Sequence, residues 1–101
     1  MKPETAIRIG IRDLLRTLGF AVWDLEQNRQ TRQTPGFTDL VAMGRGHILF
    51  IEVKTPKGSL SGAQEIFRDE CLTNGGEWYL WRSTEDAKGW LVECGYVVEA
   101  K

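Results

Sequence analysis

The sequence is poor in the two residue types that would indicate a disulfide framework or a zinc site. Its 101 residues contain two cysteines and one histidine, and there is no C-x-x-C motif. Cys71 and Cys94 fall in different predicted helices, so we expect two small, buried free thiols in a reducing compartment rather than a disulfide. Because His47 is the single histidine, a structural zinc site is set aside.

Long apolar runs are also missing. No run approaches the roughly 20 residues that a membrane-spanning helix needs, and the N-terminus, Met-Lys-Pro-Glu, lacks the apolar core of a signal peptide. We therefore predict no membrane contact and a cytoplasmic location, in a bacterium or a phage-infected cell. The hydrophobic content of 42% and charged content of 27% predict a single domain over residues 1–101.

No charge of one sign dominates the chain. The formal net charge is −1, which by itself argues against a nucleic-acid partner. However, residues 1–58 carry nine Lys or Arg against six Asp or Glu, whereas residues 59–101 carry four against eight. The basic excess is thus confined to the first part of the chain, and the charge distribution permits a nucleic-acid partner without requiring one.

One short stretch, Gly46 to Lys54 (GHILFIEVK), carries residues typical of a catalytic site. Its four consecutive apolar residues predict a strand buried on both faces. Alternate side chains of a strand share a face, so Glu52 and Lys54 point one way and Val53 the other. A carboxylate beside an ammonium at the end of a buried strand is typical of metal-assisted phosphodiester cleavage. A surface ion pair has the same local sequence, so this triplet alone is a weak signal.

A second acid lies in the strand before it. Residues 37–43 (FTDLVAM) predict a strand that Gly44-Arg45-Gly46 joins to the next one as an antiparallel hairpin. Counted from Arg45, Asp39 is six residues back and Glu52 seven forward, so they fall nearly in register. The turn geometry decides whether they share a face. Because an acid in an apolar strand is costly unless paired or metal-bound, Asp39 is a second sign of a site.

The N-terminal stretch from residue 3 to 18 predicts an amphipathic helix that ends at Gly19. Glu4 lies near its inward face, where it either complements the helix dipole or contributes to a site. A separate stripe, which predicts a solvated face or a phosphate contact, consists of Arg8, Arg12 and Arg16.

The middle of the chain predicts a short strand over residues 20–25 and a polar loop over 26–36. Arg29 and Arg32 in this loop suit phosphate contacts, although an exposed loop without a partner has nearly the same composition. Further on, we predict a helix over 61–72, a strand over 77–81 and a helix from 83 to 95. Ser61 and Gln64 match a capping box, which gives Gln64 a structural role on local grounds.

The remaining aromatic and C-terminal residues are assigned more simply. The four tryptophans are interpreted as core and interface side chains rather than base-stacking platforms. Residues 96–98 predict either one more strand or a dimer contact.

Together these parts resemble the VRR-NUC (virus-type replication–repair nuclease) domain of the PD-(D/E)xK nuclease superfamily. The resemblance extends from Glu4 to about Trp90. It rests on Gly36-Phe37-Thr38-Asp39 as the G-x-x-D motif, on Glu52-Val53-Lys54 as E-x-K, and on Gln64 in the next helix. Thr38 departs from the proline that often precedes the acid in this family, at a position that shapes the strand and does not ligate metal.

The resemblance implies an α/β fold with a restriction-endonuclease-like core, in αβββαβ order with a central mixed sheet flanked by helices. It also implies that Asp39, Glu52 and the Val53 backbone carbonyl hold Mg²⁺, for which Mn²⁺ substitutes. Glu4 would act on the ion directly or through water. Lys54 would orient or deprotonate the attacking water, and Gln64 would complete the catalytic set.

The implied function is a Mg²⁺-dependent, structure-selective DNA endonuclease of replication or repair. It would act as a homodimer on branched DNA such as four-way (Holliday) junctions, with DNA contacts predicted at Arg29, Arg32 and Lys57. The alternatives are a flap-type nuclease, a catalytically inactive DNA-binding or assembly module, and a small α/β protein whose E-x-K is a surface ion pair.

Overall fold

The chain forms helices and strands in a computed structural model that describes residues 1–28 and 34–99. In chain order the elements are α1 (Pro3–Thr17), β1 (Ala21–Asp24), a short 3₁₀ helix (Leu25–Asn28), β2 (Leu40–Gly44), β3 (His47–Val53), α2 (Gly62–Thr73), β4 (Glu77–Trp81) and α3 (Thr84–Glu93). The predicted α/β class and the αβββαβ order are confirmed, with α3 following β4.

The strands form one mixed sheet in the order β1-β2-β3-β4. The first three strands are antiparallel neighbours, whereas β4 runs parallel to β3 because α2 carries the chain back between them. As a result β3 is paired on both edges and, apart from Ile48 near its start, is covered on both faces. This position explains why its sequence is a continuous apolar run rather than an alternating one.

The turn between β2 and β3 consists of Arg45 and Gly46. Both have positive φ, 53° and 84°, as the two central positions of a type I′ turn require. Gly44 therefore belongs to β2, where it pairs with His47, and not to the turn. This two-residue turn fixes the register of the whole hairpin.

One face of the sheet packs against α1 and α3 and forms the hydrophobic core. The largest fully buried apolar side chains come from these helices and from β2 and β3: Ile11, Leu15, Leu40, Leu49, Ile51, Val53 and Leu91. Burying each Leu or Ile side chain contributes about 1.5–3 kcal/mol. The core thus holds β3 firmly in the centre, so residues at its two ends are well positioned.

The opposite face of the sheet packs against α2. The rings of Phe37 and Phe67 contact Phe50 with centroids 6.1 and 5.8 Å away. Gly36 packs so closely against the first turn of α2 that a Cβ added to it would come within 2.2 Å of the Ala63 carbonyl oxygen. Its φ is also positive, at +83°. Only glycine fits this position, which explains the glycine of the G-x-x-D motif.

Several local predictions are wrong. The second strand begins at Leu40 rather than at residue 37, because Phe37 leaves the sheet to pack against Phe67 of α2, at 5.1 Å between ring centroids. The first strand spans Ala21–Asp24, and the chain continues into the 3₁₀ helix. Of the two alternatives for residues 96–98, the strand is wrong, since Tyr96 packs against the ring of Trp90, and the dimer contact stays a prediction.

Two expectations concerned features that are scarce in the sequence, namely cysteines and long apolar segments. Cys71 and Cys94 are free thiols, as predicted, but both are half-buried rather than buried. Within the described ranges, every helix is too short or too polar to cross a lipid bilayer.

Candidate active site

Asp39 and Glu52 meet where the β2–β3 hairpin ends. The register pairs Leu40 with Ile51, so the next positions outward are Asp39 and Glu52. Asp39 Oδ2 accepts a hydrogen bond of 3.0 Å from the Val53 backbone N–H. Both acids are buried, and Glu52 is only 1% exposed. The turn geometry that the sequence left open therefore brings the two acids together.

The surroundings of this pair disfavour two negative charges. Burial, followed by the charge of Asp39, raises the pKa of Glu52 to about 9, although Lys54 acts in the opposite direction. Burial, followed by a hydrogen bond with Glu26, raises the pKa of Asp39 to about 7. Glu52 Oε1 is buried and has no hydrogen-bond partner within the described residues. Such a pair is a favourable position for a cation.

Gln64 combines a helix cap with a contact to the site. Ser61 is the N-cap of α2, and the predicted capping box is present. Gln64 Oε1 accepts from the Ser61 backbone N–H at 2.8 Å, and its amide Nε2 donates to Glu52 Oε2 at 2.8 Å. One side chain therefore completes the helix N-terminus and orients one carboxylate. Both roles considered from the sequence are geometrically compatible.

Lys54 lies beside Glu52, as the strand period predicts. Its ammonium nitrogen is 3.9 Å from Glu52 Oε2, and its side chain is only 17% exposed. The Lys54 backbone N–H donates to the Trp81 carbonyl at 3.2 Å, which ties it to the end of β4. The amine is thus close to the acids but at the long end of ion-pair distances, so it remains available to a further partner.

Glu4 and Glu26 bring further negative charge to this end of the sheet. Both line a cavity of about 320 Å³, together with Lys2, Thr5 and Arg8. Their charges contribute to the raised pKa of Asp39. The Leu25 backbone N–H donates to the Asp39 carbonyl at 2.9 Å, which fixes the start of the 3₁₀ helix beside Asp39.

Glu26 is the acid that sequence reasoning missed. The sequence prediction places it in a polar loop and gives it no role. A usable signal exists, because an acid that directly follows one strand of an antiparallel pair lies beside the start of its partner. Asp39 is at that start, one residue before β2.

The arginine stripe of α1 serves to attach the helix to β1. Arg8 forms a buried ion pair with Asp24, and Arg12 contacts the same Asp24 oxygen at 3.4 Å. Arg16 donates to the Val22 carbonyl at 2.8 Å. The interpretation as a solvated face or a phosphate contact is therefore wrong for Arg8, and the stripe as a whole is engaged within the chain.

Of the three predicted DNA contacts, one lies within the described residues and two lie outside them. Lys57 is exposed in the turn that follows Lys54. Arg29 and Arg32 lie outside the described residues. Their contact with DNA stays a prediction.

The donors available to a metal ion are few. Within residues 1–28 and 34–99, no three His, Cys, Asp or Glu side chains are grouped to hold a metal ion. The candidate donors are the Asp39 and Glu52 carboxylates, and the Val53 carbonyl stays a predicted third donor. Mg²⁺ is usually held by one or two carboxylates and completes its shell with water and substrate phosphate. The unpartnered Glu52 Oε1 and the hard oxygen donors fit such an ion.

Comparison with known proteins identifies the fold. A solved structure described as "VRR_NUC domain" matches with a TM-score of 0.75 and 22% sequence identity, over 92% of this chain and 97% of that chain. No protein-family model and no curated protein matches the sequence. The predicted resemblance is confirmed for the fold, which this chain shares with that VRR_NUC domain structure. Since fold does not fix activity, the chemistry rests on the residues.

Proposed function

We propose that this chain hydrolyses phosphodiester bonds in DNA with a divalent cation held by Asp39, Glu52 and the Val53 carbonyl. The observation that carries the proposal is Glu52 Oε1, a buried carboxylate oxygen without a partner in the described residues, next to a second buried acid. Burying such a group costs free energy unless a hydrogen bond or a cation compensates. Asp24 also has one buried oxygen without a partner in the described residues, but its other oxygen pairs with Arg8 and Arg12. Glu52 instead lies beside a second acid, with the Lys54 ammonium 3.9 Å away.

Mg²⁺ is the proposed ion, with Mn²⁺ as a substitute, because the donors are hard oxygens. When bound, it would supply a Lewis acid for the phosphodiester oxygen and the attacking water. Asp39 and Glu52 are oriented by their own partners, the Val53 N–H and the Gln64 amide. Glu4, at the nearby cavity, would act through water.

Lys54 is proposed to position the attacking water and to offset the negative charge that develops on the phosphoryl oxygens. Its side chain is largely shielded from solvent, and its ammonium lies 3.9 Å from Glu52 Oε2. A fixed cation in such surroundings stabilises a charged transition state more than an exposed one does. The acids and Lys54 thus have complementary roles.

The proposed substrate is branched DNA, cut by a homodimer in the cytoplasm of a bacterium or a phage-infected cell during replication or repair. The homodimer is supported by three large apolar side chains that are exposed in the single chain. They are Trp23, Met43 and Ile48, with exposed fractions of 49%, 40% and 50%. They are neighbours on one sheet face, since Met43 pairs with Ile48. A second copy would bury this apolar surface, and a two-fold axis would present two sites to two strands. Met43→Lys should then give a monomer in light scattering; an unchanged dimer would assign the interface elsewhere.

The activity is tested by cleavage of labelled duplex, flap and four-way-junction DNA with Mg²⁺ or Mn²⁺. We expect the wild type to cut branched DNA, and Lys54→Ala and Asp39→Ala to lower the rate by at least about 100-fold. If the wild type binds branched DNA but cuts none with either ion, a DNA-binding module replaces the nuclease.

The cation is tested separately by calorimetric titration of Mn²⁺ in buffers of different ionisation enthalpy. Binding should release protons, because acids with raised pKa values must lose them to a cation. Asp39→Asn should abolish binding, whereas Glu77→Gln, at the other end of the sheet, should not. Equal binding by all three proteins would refute the proposed ligands.

A further inference from the structure

Arg82 binds the turn that follows Lys54. Its Nη1 donates to the carbonyl oxygens of Thr55 at 2.7 Å, Gly58 at 2.7 Å and Pro56 at 3.2 Å. Charge-assisted hydrogen bonds of this kind are stronger than neutral ones. Arg82 directly follows β4, so its guanidinium links this strand to a turn that lies 24 or more residues earlier in the chain.

The turn itself lies against the aliphatic stem of Lys54. A Cβ added at Gly58 would lie 3.5 Å from both Cβ and Cδ of Lys54. The turn is closed by a hydrogen bond of 3.0 Å from the Gly58 N–H to the Thr55 carbonyl. Gly58, one of the residues whose carbonyls Arg82 holds, therefore lies next to the lysine stem, with room for little more than a methyl group between them.

A lysine side chain has four rotatable bonds, so its ammonium is poorly positioned unless its stem is packed. The Lys54 stem has this packing, and its ammonium lies 3.9 Å from Glu52 Oε2. A displacement of about 1 Å at a reacting group can cost about 100-fold in rate. Support for the turn is therefore support for the position of the amine.

We propose that Arg82 is a positioning residue for Lys54: it holds the turn of residues 55–58 on the lysine stem and so keeps the ammonium beside Glu52. Its consequence for catalysis rests on the proposed nuclease function. Its effect on Lys54 is a property of the free protein and can be measured without DNA. The planar guanidinium suits this role because it reaches several carbonyls from one fixed group, which an ammonium on a flexible stem does not.

The first experiment measures how fast acetic anhydride acetylates Lys54 in the free protein, by mass spectrometry of its peptide. Arg82→Gln should raise the Lys54 rate by about threefold or more, because the turn opens more often. Lys2, which lines a separate cavity, serves as an internal reference whose rate should not change. Arg68→Gln removes the same charge from an α2 arginine that pairs with Asp69, and it should leave Lys54 unaffected. An unchanged Lys54 rate in folded Arg82→Gln protein would overturn the proposal.

Arg82→Lys provides a milder variant in case Arg82→Gln does not fold. It retains the positive charge but loses the guanidinium group and its several N–H donors. A smaller rise in Lys54 acetylation therefore supports the proposal, and no rise overturns it.

In cleavage assays, Arg82→Gln should lower kcat about tenfold with KM unchanged. The same change in the Lys54→Ala background should have no further effect; an equal loss in both backgrounds would contradict action through Lys54. If the wild type cuts no DNA, the nuclease function fails, while the acetylation result still decides the role of Arg82.

Discussion

His47 and Glu52 are both polar residues of β3, five positions apart, but their surroundings differ. The His47 ring is engaged on both nitrogens, since Nδ1 contacts Glu77 at 2.9 Å and Nε2 contacts the Tyr96 hydroxyl at 2.8 Å. Glu52 receives the Gln64 amide on one oxygen, and its other oxygen has no partner within the described residues. One end of the strand is saturated with hydrogen bonds and the other is not.

This difference separates a structural polar cluster from a candidate site. At the His47 end, the Tyr79 hydroxyl contacts Glu77 at 3.4 Å and accepts from the Trp90 indole at 3.1 Å, so the members of the cluster satisfy one another. The cluster holds the segment after α3 against the sheet through Tyr96. At the Glu52 end, burial and the charge of Asp39 raise the pKa of Glu52, and one Glu52 oxygen has no partner within the described residues. A buried carboxylate oxygen without a partner, beside a second acid rather than an arginine, is a candidate position for a ligand.

The largest expected effect is on cleavage, with the same substitution made at each end of the strand. Glu52→Gln should lower the single-turnover rate on branched DNA by at least about 100-fold, because the amide no longer supports a cation. Glu77→Gln should stay within about threefold of the wild type, since it touches only the structural cluster. Similar losses in both variants would remove the distinction between the two ends.

The second prediction concerns stability, where the two substitutions should act in opposite directions. In urea titrations at pH 8 without metal, Glu52→Gln should raise the free energy of unfolding by on the order of 2 kcal/mol, because a buried acid is replaced by a neutral isostere. Glu77→Gln should lower it by at most about 1 kcal/mol, as expected for a half-exposed pair with His47. A loss of stability in Glu52→Gln would mean that the carboxylate is stabilising.

The pH dependence of the wild type follows from the same groups. The folded-state pKa values of Asp39 and Glu52 are raised to about 7 and about 9. Between roughly pH 4 and these values the folded chain binds more protons than the unfolded chain, so stability should fall as pH rises. The urea midpoint of the metal-free wild type should therefore decrease from pH 5 to pH 9, and Glu52→Gln should flatten this slope. A midpoint that rises over this range in the wild type would contradict the raised pKa values.

Much of the arrangement at the Glu52 end of β3 can be predicted from the periodicity of the sequence. A continuous apolar run predicts the central strand, and the strand period places Lys54 beside Glu52. The near register of Asp39 and Glu52 follows from counting outward from Arg45. The type of turn then decides which residues of β2 and β3 pair. Arg45 has a positive φ, which is uncommon for arginine, so this turn type could not be predicted from the sequence. Whether the two acids lie side by side was therefore left open.

The parts that the sequence did not predict depend on contacts between distant segments. Phe37 is β-prone locally but packs against α2 instead of entering β2. Arg8 belongs to a charged stripe that reads as solvated, yet Asp24, 16 residues away, pairs with it in the interior. Glu26 joins the acidic end of the sheet only because β1 is antiparallel to β2. In each case tertiary packing overrides a local preference.

The smallest expected effect comes from Ser61, which connects a helix cap to the Glu52 end. Ser61 Oγ accepts from the Gln64 backbone N–H at 3.2 Å, and Gln64 in turn donates to Glu52. Ser61→Ala should cost about 1 kcal/mol of unfolding free energy, as loss of an N-cap does. It should also lower cleavage about threefold, because Gln64 keeps its bond to the residue 61 N–H but is held less firmly.

Ser83→Ala is the matched control for this prediction. Ser83 caps α3 in the same way, with its Oγ accepting from the Asp86 N–H at 3.1 Å, and no predicted catalytic residue lies in that helix. It should lose about the same stability and lower cleavage less than Ser61→Ala does, because the Arg82 side chain keeps its bonds to Thr55 and Gly58. Stability from urea titration and single-turnover rates on one branched substrate measure both effects. If the two serine variants reduce cleavage equally, the capping box of α2 does not contribute to the site, and the contact between Gln64 and Glu52 is structural.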